Sequence, residues 1–274
     1  MTKLNAQKGF TLVELAIVLT IIGLLLGGIL KGRQLMQNAR ITATIAQIGA
    51  IEAATTTFMD TQGSLPGDMV DASTRIPNCA NCRAPITGGD SKIGDPAWDL
   101  QSSQADVAVA SPPADNESET LTYWAELGQS GLLGGVSYNG EAVTVANMKF
   151  GTHAPAARIG GGFSVGYANG TARQHGGPVA NNFTILAGTV LMLSPNLTTA
   201  PASGVGAQII DPALAGQIDR KYDDGLAATG RAQGSGTNSG TGCFNIGTGG
   251  TINDYLYNEA LTGRNCDMFF QING

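Results

Sequence analysis

The chain has 274 residues, a formal net charge of −6, only 13% charged residues, 39 glycines and four cysteines. An acidic balance of this kind gives nucleic acid no basic surface to bind, and none is expected as a partner. The glycine-rich, charge-poor composition suits a loop-rich extracytoplasmic domain better than a cytosolic enzyme, and the length allows one sizeable domain after an N-terminal segment.

Residues 1–9 form a short polar leader, MTKLNAQKG, carrying Lys3 and Lys8 and ending in Gly9. An apolar run of about twenty residues follows, FTLVELAIVLTIIGLLLGGIL, long enough to span a bilayer as a helix. One acid, Glu14, interrupts it near its start. A carboxylate inside a membrane segment costs about 2.5 kcal/mol or more at the helix centre, so it marks a functional site. The run is too long for a secretory signal core, and Lys31, Gly32 and Arg33 follow it in place of a small-residue cleavage site. A plain membrane anchor fits the length but explains neither Glu14 nor the K-G-F-T-L-V-E string.

That string, Lys8-Gly9-Phe10-Thr11-Leu12-Val13-Glu14, resembles the class III signal of type IV pilins and type II secretion pseudopilins. The resemblance is strong over roughly the first sixty residues and weak beyond them. It implies cleavage between Gly9 and Phe10 by a prepilin peptidase on the cytoplasmic side, with N-methylation of Phe10. It also gives Glu14, fifth after the scissile bond, a role in assembly. In a low-dielectric filament core Glu14 would pair with the methylated N-terminal amine of a neighbouring subunit, because leaving either charge unpaired is costly.

The helical pattern continues past the membrane segment. Leu35, Ala39, Ile41, Ile45, Ile48 and Phe58 recur near helical spacing, with Lys31, Arg33 and Arg40 on solvated positions. Gly63 and then Pro66-Gly67 stop the helix. A helix from Phe10 to about Asp60 would be roughly 75 Å long. Gly23–Gly27 and Gly28–Gly32 are G-x-x-x-G pairs of the kind that let membrane helices approach closely.

Residues 61–116 read as loop, with turns at Gly88-Gly89-Asp90, Gly94-Asp95-Pro96 and Ser111-Pro112-Pro113. Glu117–Leu127 reads as a short helix with Leu121, Trp124 and Leu127 on one face and Gly128 as its stop. Strands are expected at Glu141–Phe150, after an Asn139-Gly140 turn, at Gly162–Tyr167, at Phe183–Leu193 and at Asp267–Ile272. Asp211-Pro212 opens a helix that ends at Gly225. Thr229–Gly250 is Gly/Ser/Thr-rich and reads as a flexible loop. The expected fold class is α+β: a long N-terminal helix, transmembrane then amphipathic, packed on a C-terminal antiparallel-sheet head with long loops. The expected organisation is a leader at 1–9, a helix at 10–60 whose 10–30 part spans the membrane and drives polymerisation, and a head at 61–274.

Cys79, Cys82, Cys243 and Cys266 allow three disulfide pairings. Past the membrane segment they meet an oxidising compartment. The favoured pairing is Cys79–Cys82, closing the turn N-C-A-N-C, with Cys243–Cys266 stapling the C-terminal end, where pilins commonly carry a disulfide-bounded loop. A four-thiolate zinc site is the alternative, but zinc ribbons use two C-x-x-C knuckles and one is present. Asp219, Asp223 and Asp224, beside Gly225, are candidate calcium ligands, although Arg220 and Lys221 alternate with them and D-D-G also suits a helix end. No other cofactor is expected.

The histidines are His153 and His175, and no G-x-S-x-G, H-E-x-x-H or P-loop motif occurs. The chain therefore reads as a structural subunit and not an enzyme. The resemblance implies polymerisation into a type IV pilus or pilus-like surface filament. The implied partners are other copies of the chain, a prepilin peptidase and an inner-membrane assembly platform. Before assembly the leader would face the cytoplasm, following the positive-inside rule. Pseudopilin, minor pilin and membrane-anchored binding module that never polymerises are the rival readings. GDM at Gly67–Met69, W-x-x-L at Trp124–Leu127 and D-x-K-x-D-D-G at Asp219–Gly225 also loosely resemble a group of larger pilin-like proteins.

Overall fold

The computed structural model describes residues 10–79, 82, 89–93, 119–138, 149–169, 172–174, 182–184, 187–195, 209–235, 242–246 and 255–272. The readings placed on the leader with Gly9, on Gly88, Gly94–Pro96, Ser111–Pro113, Asn139-Gly140, residues 141–148 and His175 fall outside these residues.

Helix α1 runs Leu12–Gln62 and ends at Gly63, which takes the left-handed conformation (φ +74°) and donates its N–H to the Met59 carbonyl. That is the glycine C-cap expected from the sequence. The helix divides at about residue 40. Every described position before Ile41 is exposed. From there Ile41, Thr44, Ile48, Ile51, Thr55 and Phe58 are buried at alternating spacings of three and four. The predicted stripe needs correction at its start, since Leu35 and Ala39 are exposed. Periodicity marks a helix face, but only the head's extent decides where that face becomes covered.

Helix α2 is one turn, Ala72–Arg75. Helix α3 covers Glu119–Gln129 and buries Leu121, Trp124 and Leu127 as read from the sequence, with Thr122 and Tyr123 buried as well. It continues one residue past Gly128. Helix α4, Pro212–Tyr222, begins at the expected cap: the Asp211 side chain accepts from Leu214 N–H at 2.7 Å. It stops three residues before Gly225.

The main sheet is antiparallel in the order β1 (Gly162–Asn169), β4 (Ala187–Ser194), β8 (Asp267–Gln271), β5 (Ala232–Ser235). Two small ladders stand beside it: β2 (Ala172–Gln174) with β3 (Asn182–Thr184), and β6 (Phe244–Ile246) with β7 (Tyr255–Tyr257). The fold is α+β. Two strand expectations are corrected. Phe183–Leu193 is not one strand: β3 belongs to a small ladder and β4 to the main sheet. The Gly-rich stretch Thr229–Gly250 is not all loop, because β5 and β6 lie in it. The β5 ladder is made by backbone groups, which need no side chain. A Cβ on Gly234 would fall 2.7 Å from the Tyr257 ring, so the glycine allows the strand to lie against β7.

One apolar core joins these layers, with Phe58, Trp124, Phe163, Phe244 and Phe270 fully or almost fully buried. Polar ties fix α1 to the head. The Tyr123 hydroxyl lies 2.5 Å from Thr55 Oγ1, whose own proton goes to the Ile51 carbonyl at 2.8 Å, so Tyr123 is the donor between the two hydroxyls. Arg231 reaches Glu52 at 2.7 Å and the Gln271 carbonyl at 3.1 Å. The Gln47 amide donates to the Ala156 carbonyl at 3.0 Å and accepts from Arg158 N–H at 3.1 Å.

Candidate functional site

The first turn of α1 holds the residues singled out by the K-G-F-T-L-V-E string. Thr11 is the N-cap. Its Oγ1 accepts from Glu14 N–H at 3.2 Å, and Glu14 Oε2 accepts from both Thr11 N–H and Thr11 Oγ1–H at 2.8 Å. This is a capping box, written in the sequence as T-x-x-E. The reading of Glu14 as a membrane charge with a role in assembly does not include this local cap. The box holds the Glu14 carboxylate back toward the N-terminus, at the level of Phe10 and Thr11. An ionised carboxylate has about four acceptor positions, so the box leaves capacity for a further donor.

Around this turn the apolar side chains have nothing to pack on among the described residues. Phe10 is 90% exposed, and Leu12, Leu24 and Leu30 are exposed to 67% or more. A Cβ added at Gly23, Gly27, Gly28 or Gly32 would meet nothing within 4 Å, so nothing in the single chain requires glycine there. The helix contains an apolar window long enough to cross a membrane, and none of that window is buried.

In the head, Cys79 is bonded to Cys82 and Cys243 to Cys266. The second bridge closes 23 residues and ties β6 to the residue that enters β8. The acids proposed for calcium each serve a turn. Asp219 is fully buried, with Oδ2 accepting from the Tyr257 hydroxyl at 2.7 Å and Oδ1 from Gly225 N–H at 3.1 Å. Burial pushes its carboxyl up to about 7, against the pull of those two hydrogen bonds. Asp223 accepts from the backbone N–H groups of Arg231 and Ala232. Asp224 accepts from Leu226 N–H at 2.8 Å and from the Thr229 hydroxyl at 2.5 Å. The three carboxylates thus organise the passage from α4 to β5. Among the described residues, the acids that gather are instead Asp68, Asp90 and Glu119. The sequence offers Asp90 only as part of a turn and does not group it with Asp68 and Glu119, because Asp90 and Glu119 stand 22 and 51 residues beyond Asp68 and only the fold brings them together. His153 Nδ1 accepts from Lys149 N–H at 3.1 Å, a local turn contact.

Compared with protein families, residues 4–30 match the model of the prokaryotic N-terminal methylation motif. The chain therefore carries a class III signal, and with its long apolar N-terminal helix it fits the type IV pilin family. Such a signal implies processing by a prepilin peptidase and assembly in pilus-type machinery. It indicates a pilin-type structural subunit, and the apolar helix beside it is consistent with membrane anchoring. Searches of curated proteins and of solved structures found no match.

Proposed function

We propose that the chain is a pilin: a subunit cut between Gly9 and Phe10, methylated on Phe10, and polymerised through the first half of α1 into a type IV pilus or pilus-like surface filament. The observation that carries this reading is the exposure of the apolar run from Phe10 to Leu30, which lies in the same residues that match the methylation motif. An apolar surface of that extent demands lipid or other helices. Lipid satisfies it before assembly, and copies of the same helix satisfy it afterwards. Exposed small residues at Gly23, Gly27, Gly28 and Gly32 support close helix approach.

Glu14 acts in register. Its carboxylate, held at the level of Phe10 by the capping box, receives the methylated amine of a neighbouring subunit. Two such charges brought together out of water attract strongly, and a subunit misplaced along the axis leaves both unpaired. The test compares subunit in sheared filaments with subunit in the membrane. Glu14→Leu should give processed, inserted protein and no filaments, whereas Glu14→Asp should retain part of the yield. Intact mass should show loss of Met1–Gly9 and gain of one methyl group. Filaments at wild-type yield from Glu14→Leu would overturn the pairing of Glu14 with a neighbour's amine, whereas no filaments from the wild-type chain would favour a membrane-anchored module that does not polymerise.

A further inference from the structure

The turn after α1 and the start of α3 form a second constellation, remote in sequence from the methylation motif. Gly67 takes φ +88°. A Cβ there would collide with the Glu119 carbonyl and crowd Tyr123, so glycine lets the turn lie directly on α3. Its neighbour Asp68 is 2% exposed. The backbone of 89–91 wraps this carboxylate: Gly89 and Asp90 N–H donate to Oδ1 and Ser91 N–H to Oδ2, the last at 3.0 Å. The wrapping carries the Asp90 side chain to the same point. From α3, Glu119, Thr122 and Glu126 share one face at i, i+3 and i+7.

One carboxylate oxygen from each of Asp68, Asp90 and Glu119 lies within 4.8 Å of the other two. Calcium binds oxygen at about 2.3–2.6 Å, so oxygens on opposite sides of one ion stand roughly 5 Å apart. The three oxygens are spaced as ligands of a single ion would be. A second feature points the same way. Glu126 is fully buried, its Oε2 accepts from Gly67 N–H at 2.7 Å, and its Oε1 has no hydrogen-bond partner among the described residues. The Gly67 bond sets this carboxylate beside the Gly67–Asp68 turn, and its carboxyl is pushed up to about 8, chiefly by burial and further by the charges of Asp68 and Glu119. A buried carboxylate oxygen without a donor is costly unless a cation or a proton satisfies it.

We propose that Asp68, Asp90 and Glu119 bind one calcium ion, with the buried carboxylate of Glu126, beside the Gly67–Asp68 turn, adding to the negative charge that attracts it. The donors are carboxylates without cysteine or histidine, which selects a hard cation over zinc. Their unequal spacing along three chain segments suits the flexible coordination of calcium better than the strict octahedron of magnesium. Asp68 and Glu119 are buried while Asp90 is exposed, so the ion enters past Asp90. Bound there, it clamps the 89–91 segment to α3 and to the end of α1. This assignment is independent of the filament reading. It also differs from the Asp219–Asp224 expectation.

The test uses the full-length protein in detergent micelles, freed of metal with chelator and titrated with calcium chloride. Calorimetry should count one calcium per chain, and the thermal midpoint should rise by several degrees. Asp90→Asn, at an exposed position, should leave the midpoint in chelator unchanged and weaken calcium binding about tenfold or more. Glu126→Gln should raise the midpoint in chelator and reduce the gain from calcium. Asp223→Asn with Asp224→Asn should leave binding as in the wild type. No calcium binding by the wild type, binding untouched by both Asp90→Asn and Glu126→Gln, or binding lost in the Asp223/Asp224 variant would each overturn the site. An equal midpoint rise from magnesium would overturn the choice of ion.

Discussion

The two halves of α1 share one backbone and one helical period, yet they meet opposite surroundings. Between Phe10 and Arg40 large apolar side chains stand exposed, among them Leu24 at 80%. Between Ile41 and Gln62 a narrow stripe is buried to 5% or less, while the other faces carry residues such as Glu52 and Gln47 that tie the helix to the head. The second half is amphipathic and completes a core within its own chain. The first half, apolar all round as far as Leu30 and polar on several positions from Lys31 to Arg40, packs on nothing among the described residues. Local sequence makes both halves helical. What covers each half separates a folding element from an assembly element.

That comparison breaks if the halves respond alike to truncation. Phe58→Ala should destabilise the head by about 3–5 kcal/mol, the usual cost of emptying a packed aromatic site. Leu24→Ala should leave head stability unchanged and act only on filament yield. Chemical denaturation of the two variants in the same detergent measures both. Equal losses of stability would show that the first half packs on the head after all.

Removing the Cys243–Cys266 bridge with a double serine variant should cost roughly 3 kcal/mol in the chain-entropy account, for a closed loop of 23 residues. The loss should appear as a lower thermal midpoint of the head. Membrane insertion, which belongs to the first half, should be unaffected and is checked by fractionation.

The head should also be less stable at pH 8 than at pH 5 when calcium is absent. Burial raises Asp219 to about 7 and Glu126 to about 8 in the folded state. The unfolded chain releases both protons near pH 4, so the folded state holds more protons across the window from about 4 to 8. Stability therefore falls as pH rises through that window, and the fall is read as a lower denaturation midpoint at pH 8 than at pH 5. The same slope in Leu24→Ala would place the titrating groups in the head, and its disappearance in Asp219→Asn with Glu126→Gln would identify them.

The smallest effect expected is at Gln47. Gln47→Ala removes both hydrogen bonds to the 156–158 segment and should cost about 1 kcal/mol, read as a small fall in the denaturation midpoint.

Much of this protein is local and was legible. The K-G-F-T-L-V-E string, the apolar length of the run after it, the Gly63 stop and the Asp211-Pro212 start depend on residues within a turn or two of one another. The T-x-x-E box is equally local, since it joins residues three apart. The core face of α3 followed from its period, since a Trp and two Leu at spacing three have one way to be buried.

Other features depend on partners distant in sequence. Ile41 is buried and Leu35 exposed because the head reaches only so far along α1. The glycine-rich 232–235 segment became a sheet edge because β8 offered its backbone groups, a property of the neighbour that no propensity of Ala-Gln-Gly-Ser reveals. The acids Asp219, Asp223 and Asp224, adjacent in sequence, went to separate turn donors, while Asp68, Asp90 and Glu119 converged across 51 residues. Chain proximity alone determined the helix, its signal and its ends. Tertiary packing decided which face is core, which strands pair and which charges meet, because burial and charge act through space.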